Sequence, residues 1–279
     1  MKFGVNLGLL HPSVWPELAS AADECGFESL WLPEHLVFPV EQRGRLRRGE
    51  AHAPVPPSTP LYDAPAYLCY LAARTRRIRL GTNVYLLGIR HPFVAARAFA
   101  TLDVVSDGRA EVGIGAGWCT SEFEAAGIDP ATRGRRLDEC ADVCIRLWTE
   151  REIAHRGEFH AFEPVMFEPK PVQRPHPPIS VGGEAPVALR RAVRLGGWIG
   201  MQAGLDHVRA QVARLRALER EAGVPEGSTC VTVPARIASD ADVEAYAEAG
   251  VHRVIPELGG RSRDAAETAR AFARRFVNT

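Results

Sequence analysis

A closed (β/α)₈ barrel is the fold class this sequence predicts, and three observations predict it. Short apolar runs alternate with helical patterns eight times along 279 residues, about the length such a barrel needs. Residues 77–118 read strand, helix, strand, which is a parallel βαβ unit. No Gly-x-Gly-x-x-Gly follows the first strand, so closure is favoured over an open doubly wound sheet. No linker divides the chain, and residues 1–279 read as one domain.

In chain order, Phe3–Gly8 forms the first strand. A helix runs from Ser13 to Cys25, started by Ser13 and Pro16 and stopped by Gly26. Glu28–Leu32 is the second strand and ends in Pro33-Glu34-His35. Residues 36–62 make a long loop rich in proline and arginine. Loops of that length are usually lids, binding loops or disordered segments. A helix over 63–75 leads to the third strand, Arg77–Val84, where Ile78, Leu80 and Thr82 alternate with Arg77, Arg79 and Gly81. His91-Pro92 opens the next helix, because proline fits a first helical turn where its missing N–H costs nothing. Phe93, Ala96, Phe99, Ala100 and Leu102 recur along it at helical spacing. Ser106-Asp107-Gly108 is a turn. The fourth strand, Ala110–Ile114, runs straight into Gly115-Ala116-Gly117-Trp118.

A loop is expected from there to Thr132. The helix 133–148 gathers Leu137, Cys140, Cys144 and Trp148 on one face. Residues 152–173 read as a hairpin-like insertion before the fifth strand. That strand, Pro178–Val181, ends in Gly182-Gly183. Helices over 186–195, 205–222, 240–249 and 263–276 then alternate with strands over 198–201, 229–235 and 253–257.

Composition excludes several function classes. Hydrophobic content of 46% and charged content of 24% are ordinary for a soluble protein. Net charge is zero, which leaves no electrostatic footprint for nucleic acid or an anionic membrane. The six cysteines show neither metal spacing nor a disulfide framework. No cleavable leader and no run of 18 apolar residues occurs, so a cytoplasmic protein is expected. His35, His52, His91 and Glu122 are scattered, and no metal motif joins them. A serine-hydrolase elbow is also missing.

Ligands of parallel α/β units sit beyond the carboxyl ends of the strands. Thr82–Leu86 and Gly115–Trp118 therefore line one rim, where glycines let a flat or phosphorylated ligand approach the backbone. The same glycines also serve plain tight turns. Gly182-Gly183 opens a helix, whose free N–H groups attract phosphate. His35 ends a strand at the rim and titrates near neutrality, so it suits proton transfer, although a loop histidine without a role fits the pattern too. His91 caps or packs its helix unless the rim draws it into chemistry. Arg43, Arg45, Arg47 and Arg48 form either a solvated face or a clamp for an anion.

Four stretches carry a resemblance: GFESLWLPEH (26–35), RIRLGTNV…RHP…ATLDVVSDGRAEVGIGAGW (77–118), RGRRLDE…LW (133–148) and PPISVGG…ALRRA (177–192). The chain resembles the bacterial luciferase-like superfamily, and within it the branch that uses coenzyme F420, a deazaflavin. The resemblance implies a (β/α)₈ barrel and a hydride-transferring oxidoreductase acting on a small organic substrate. It implies that His35 exchanges a proton beside the ring and that Glu34 lies next to the cofactor. It implies a non-proline cis peptide at Asn83-Val84 that backs the ring, with Thr82 and Leu86 close by. Ala116, Gly117 and Trp118 would flank the cofactor, and Gly182 and Gly183 would hold its phosphate. No metal is implied; a homodimer is. The alternatives within the resemblance are an FMN-dependent monooxygenase and a flavin-binding protein without catalysis. Two positions depart from the family. Trp118 stands where sugar-phosphate-oxidising relatives carry an acid, and Leu195-Gly196-Gly197-Trp198 lacks the usual aspartate.

Overall fold

Eight parallel strands close on themselves in the order β1-β2-β3-β4-β7-β8-β9-β10, with β10 pairing back to β1, in a computed structural model that describes residues 1–8, 10–45, 55–259 and 261–277. The barrel strands are β1 (Lys2–Asn6), β2 (Ser29–Leu32), β3 (Arg79–Thr82), β4 (Ala110–Ile114), β7 (Ile179–Gly182), β8 (Gly197–Ile199), β9 (Cys230–Ala235) and β10 (Arg253–Pro256). The remaining two, β5 (Glu152–Arg156) and β6 (Ala161–Met166), form the antiparallel hairpin expected before the fifth barrel strand. Each barrel strand is short and mostly buried, as strands covered on both faces must be.

The helices are α1 (Trp15–Glu24), α2 (Ala64–Ala72), α3 (Pro92–Val105), α4 (Thr120–Ala125), α5 (Arg133–Thr149), α6 (Pro186–Leu195), α7 (Leu205–Ala222), α8 (Asp240–Glu248) and α9 (Ala265–Phe276). Their ends follow local chemistry. Asp63 caps α2 by accepting from Ala66 N at 2.9 Å. Ser239 and Asp242 form a reciprocal capping box on α8. α6 and α7 stop at Gly196 and Gly223, both left-handed. None of the described helices is long and apolar enough to cross a membrane.

Two sequence expectations change. The segment expected as a loop from Trp118 to Thr132 contains α4, which is too short at six residues to show helical periodicity. The strand expected over 198–201 starts one residue earlier and ends at Ile199, because Gly197 already pairs with Cys230. Gly200 and Met201 then belong to the rim.

The barrel interior is layered along its axis. At the amino-terminal end Arg253 reaches Glu28 with Nε at 2.6 Å and Nη2 at 2.7 Å, and Glu111 with Nη2 at 3.0 Å. Burial alone would raise the Glu28 pKa, but the Arg253 hydrogen bonds hold it below its ordinary value. Above this network sits Trp31, fully buried, with the Arg253 guanidinium 5.1 Å from its ring. Trp31, Ile199 and Ile255 pack together with Val84. They close the barrel from below and form the floor of the carboxyl-terminal end.

Candidate active site

A cavity of about 540 Å³ opens at the carboxyl-terminal end of the barrel. Ten of the eleven residues that the resemblance assigned to the site line it: Glu34, His35, Asn83, Val84, Leu86, Ala116, Gly117, Trp118, Gly182 and Gly183. They come from the ends of β2, β3, β4 and β7, four strands that are adjacent in the barrel. Thr82 is different. It lies one layer below, fully buried, and its hydroxyl donates to Gly113 O at 2.7 Å. Arg47, Arg48 and His52 lie outside the described residues. His91 is outside the cavity lining and caps α3 through Nδ1, which accepts from Phe93 N at 3.2 Å.

The turn after β3 is stapled on both sides. Asn83 N donates to Leu32 O at 2.9 Å, and Tyr85 N donates to Gly113 O at 2.7 Å. The Asn83–Val84 peptide is cis. Val84 is wedged between two glycines. A Cβ on Gly115 would lie 2.5 Å from Val84 Cγ2, and one on Gly182 would lie 2.7 Å from Val84 Cγ1. Only glycine at both positions lets this side chain sit between β4 and β7. Glu34 braces the same turn from β2. Its Oε2 accepts from Leu86 N at 3.1 Å, and its carboxylate is paired with Arg90. Burial pushes the Glu34 carboxyl above its ordinary range despite the opposing pull of Arg90.

His35 has a partner that the sequence did not single out as one. Its Nδ1 lies 2.7 Å from Glu122 Oε2, and the Glu122 side chain is fully buried. Oε1 of the same carboxylate accepts from Leu36 N at 2.6 Å. With Nδ1 donating to a carboxylate, Nε2 is the ring nitrogen left for a ligand. Phe38 and Trp118 pack near the imidazole, with ring centroids at 4.5 Å and 5.8 Å. The first part of the long loop is tied to α4 as well. Arg43 O accepts from Thr120 N at 2.7 Å, and Arg43 N donates to Ser121 Oγ at 3.0 Å. Glu122 therefore both orients His35 and anchors the loop that leaves it.

The opposite wall is built for negative charge. Gly183 (φ 110°) precedes the amino terminus of α6, and Trp198 Nε1 donates to Gly183 O at 2.8 Å, which fixes the turn. Arg45, Arg133 and Arg191 line this cavity. Arg191 is held by Asp138 through two hydrogen bonds of 2.6 and 2.7 Å. Arg133 rests on neutral carbonyls, those of Gly117 at 3.3 Å and Pro130 at 2.8 Å, so its charge is available to an anion. Sequence reasoning passed over Arg133, although it opens the RGRRLDE stretch that carried the resemblance. Glycine-lined backbone, a helix amino terminus and a cation fit a phosphate; the Val84 and Ile199 floor fits a flat ring. Among the described residues, no cluster of His, Cys, Asp and Glu is arranged to hold a metal ion.

Comparison with known proteins places these features in company. The model of the luciferase-like monooxygenases matches residues 11–276. Among curated proteins, the chain is 33% identical over 268 residues to the uncharacterized protein Rv0953c of Mycobacterium tuberculosis, covering 95% of this chain and 94% of that one. It is 30% identical over 237 residues to the F420-dependent glucose-6-phosphate dehydrogenase of Kineococcus radiotolerans, covering 83% and 65% respectively. Among solved structures, the monooxygenase RslO1 of Streptomyces bottropensis superposes with a TM-score of 0.77 at 25% identity, covering 99% of both chains.

Proposed function

The chain belongs to the luciferase-like monooxygenase family, and from that premise we propose that it is an oxidoreductase that transfers hydride between coenzyme F420 and a small organic substrate. The observation that carries this reading is one cavity of about 540 Å³ whose wall holds the Asn83–Val84 turn, the Gly182-Gly183 cradle and His35 together. A deazaflavin, when bound, supplies the two-electron chemistry that no side chain provides. Gly182, Gly183 and Arg133 would hold its phosphate, while Val84, Ala116 and Gly117 would line its ring.

The chain's own part is orientation and proton handling. Glu122 takes the hydrogen on His35 Nδ1, which leaves Nε2 of this cavity-lining ring to accept a proton from a substrate. An acceptor there removes the hydroxyl proton of a substrate being oxidised and returns it in the reverse direction. The Phe38 and Trp118 rings limit water at the imidazole. The likeness to the F420-dependent glucose-6-phosphate dehydrogenase supports the choice of cofactor. Trp118 occupies the position of the acid expected in sugar-phosphate oxidation, which favours a less polar substrate.

A second reading, FMN-dependent oxygen activation, is supported by the likeness to the monooxygenase RslO1 along nearly the whole chain. Titration of the purified protein with F420 and with FMN decides between the two. The proposal expects tight F420 binding and reduction of the bound deazaflavin by an alcohol panel. Tight binding of FMN alone rejects it.

A further inference from the structure

The arginines that line the cavity are held in different ways. Arg191 is bound by Asp138 at 2.6 and 2.7 Å, and Arg133 rests on the carbonyls of Gly117 and Pro130. Arg45, among the described residues, has neither an ion pair nor a hydrogen bond, although its neighbour Arg43 is paired with Glu124. The backbone that leads to Arg45 is fixed all the same. Arg43 O accepts from Thr120 N at 2.7 Å and from Thr120 Oγ1 at 3.1 Å, and Gly44 forms an antiparallel bridge with Cys119. Gly44 has φ 134°, and a Cβ on it would lie 1.8 Å from Trp118 O. Only glycine lets the strap press this closely on Trp118, and Arg45 is the next residue. The Trp118 ring is in turn 5.8 Å from that of His35. The strap therefore delivers a cation to the side of the cavity that carries His35.

Resting on the reading that His35 exchanges a proton with a bound substrate, we propose that Arg45 is a specificity-determining residue that selects substrates bearing a carboxylate. The class it fits is an alcohol with an apolar body against Trp118 and its carboxylate on the Arg45 guanidinium. A guanidinium presents a rigid fork of N–H donors that matches the two oxygens of a carboxylate. With Trp118 in place of the acid found in sugar-phosphate-oxidising relatives, that position holds no like charge to repel the anion. Oxidation moves the carbinol hydrogen as hydride to the bound cofactor and the hydroxyl proton to His35 Nε2. The carbinol becomes a carbonyl, and the carboxylate is unchanged.

The test uses matched acids and amides on the full chain loaded with F420. The alcohols are mandelate and mandelamide, with the carboxylate near the carbinol, and para-(hydroxymethyl)benzoate and para-(hydroxymethyl)benzamide, with it far away. Their ketone and aldehyde counterparts, titrated into the protein with oxidised cofactor, read binding without turnover. In at least one pair the acid is expected to bind about tenfold more tightly than the amide, as a charge-assisted hydrogen bond allows. Arg45→Gln should bring that ratio to about one by raising KM for the acid more than it lowers kcat, and Arg45→Lys should keep part of the preference. Equal affinity for acid and amide in both pairs overturns the inference, as does an Arg45→Gln variant that weakens acid and amide alike. Weaker F420 binding in Arg45→Gln with an unchanged acid-to-amide ratio would assign the cation to an anionic group of the cofactor, which also overturns it. Should the protein take FMN and not F420, the cofactor reading fails, and the same pairs titrated into the FMN-loaded protein still decide the role of Arg45.

Discussion

His35 Nδ1 and Glu122 Oε2 stand 2.7 Å apart although 87 residues separate them in the chain. The contact joins the end of β2 to α4, and it turns a rim histidine into one with a fixed tautomer. Glu122 also takes the backbone N–H groups of Leu36 and Val37, so a single buried carboxylate sets both the ring and the path of the loop beyond it.

Replacing Glu122 by Gln separates these roles. The amide oxygen still accepts from Leu36 N, but it supplies no charge to the imidazole. Turnover is expected to fall by about 10²-fold, the lower end of what positioned acid–base groups supply. The loss should fall on kcat more than on KM, since the ring is left without the acceptor that holds Nδ1. Cofactor affinity should stay within about threefold. Unchanged turnover would show that Glu122 acts on the loop alone.

The barrel was legible in the sequence because each of its parts is local. Ala110–Ile114, Pro186–Leu195 and Leu205–Ala222 are bounded by turns and caps written within a few residues of their ends. Rim residues such as His35, Asn83 and Gly182 followed from strand ends alone. What stayed hidden depends on distant contacts. Glu122 sits on a helix of six residues with no period to read, and its meaning comes from His35. Arg133 gains its significance only from where α5 begins relative to Gly117.

Val84 between Gly115 and Gly182 offers a steric test. Gly182→Ala places a methyl 2.7 Å from Val84 Cγ1, an overlap expected to cost about 1–3 kcal/mol of stability or an equivalent loss of cofactor affinity. Val84→Ala removes the obstructing methyls. The double variant should recover most of what Gly182→Ala loses, giving a coupling well above 0.5 kcal/mol in a double-mutant cycle. Additive losses would mean that Val84 does not occupy the gap.

Glu219 predicts a pH dependence of stability. Burial opposes its ionisation, yet hydrogen bonds from Gly227 N and Thr229 N, both at 2.8 Å, and from Arg216 bring its pKa down to about 2. A depressed carboxylate contributes stability above its unfolded value, near 4.5, and the contribution is lost as pH falls towards 2. The shift corresponds to about 3 kcal/mol. Chemical denaturation should show Glu219→Gln less stable at pH 7, with the gap to the parent protein closing between pH 4.5 and 2. A gap that does not change with pH would assign the loss to packing.

Arg253 tests whether the two ends of the barrel are independent. It lies under Trp31, with the Trp31–Ile199–Ile255 layer between it and the cavity. Arg253→Met strands Glu28 and Glu111 beside each other without their shared cation, and breaking a buried pair this way costs about 3–5 kcal/mol. Adding Glu28→Gln and Glu111→Gln removes the uncompensated charges and should return most of that stability. Cofactor affinity is expected to stay within about twofold in both variants, because no group of this network reaches the rim. Thermal melts read the first effect and cofactor titration the second. A drop in affinity that persists in the stability-restored triple variant would mean that the floor of the cavity depends on the charge layer beneath it.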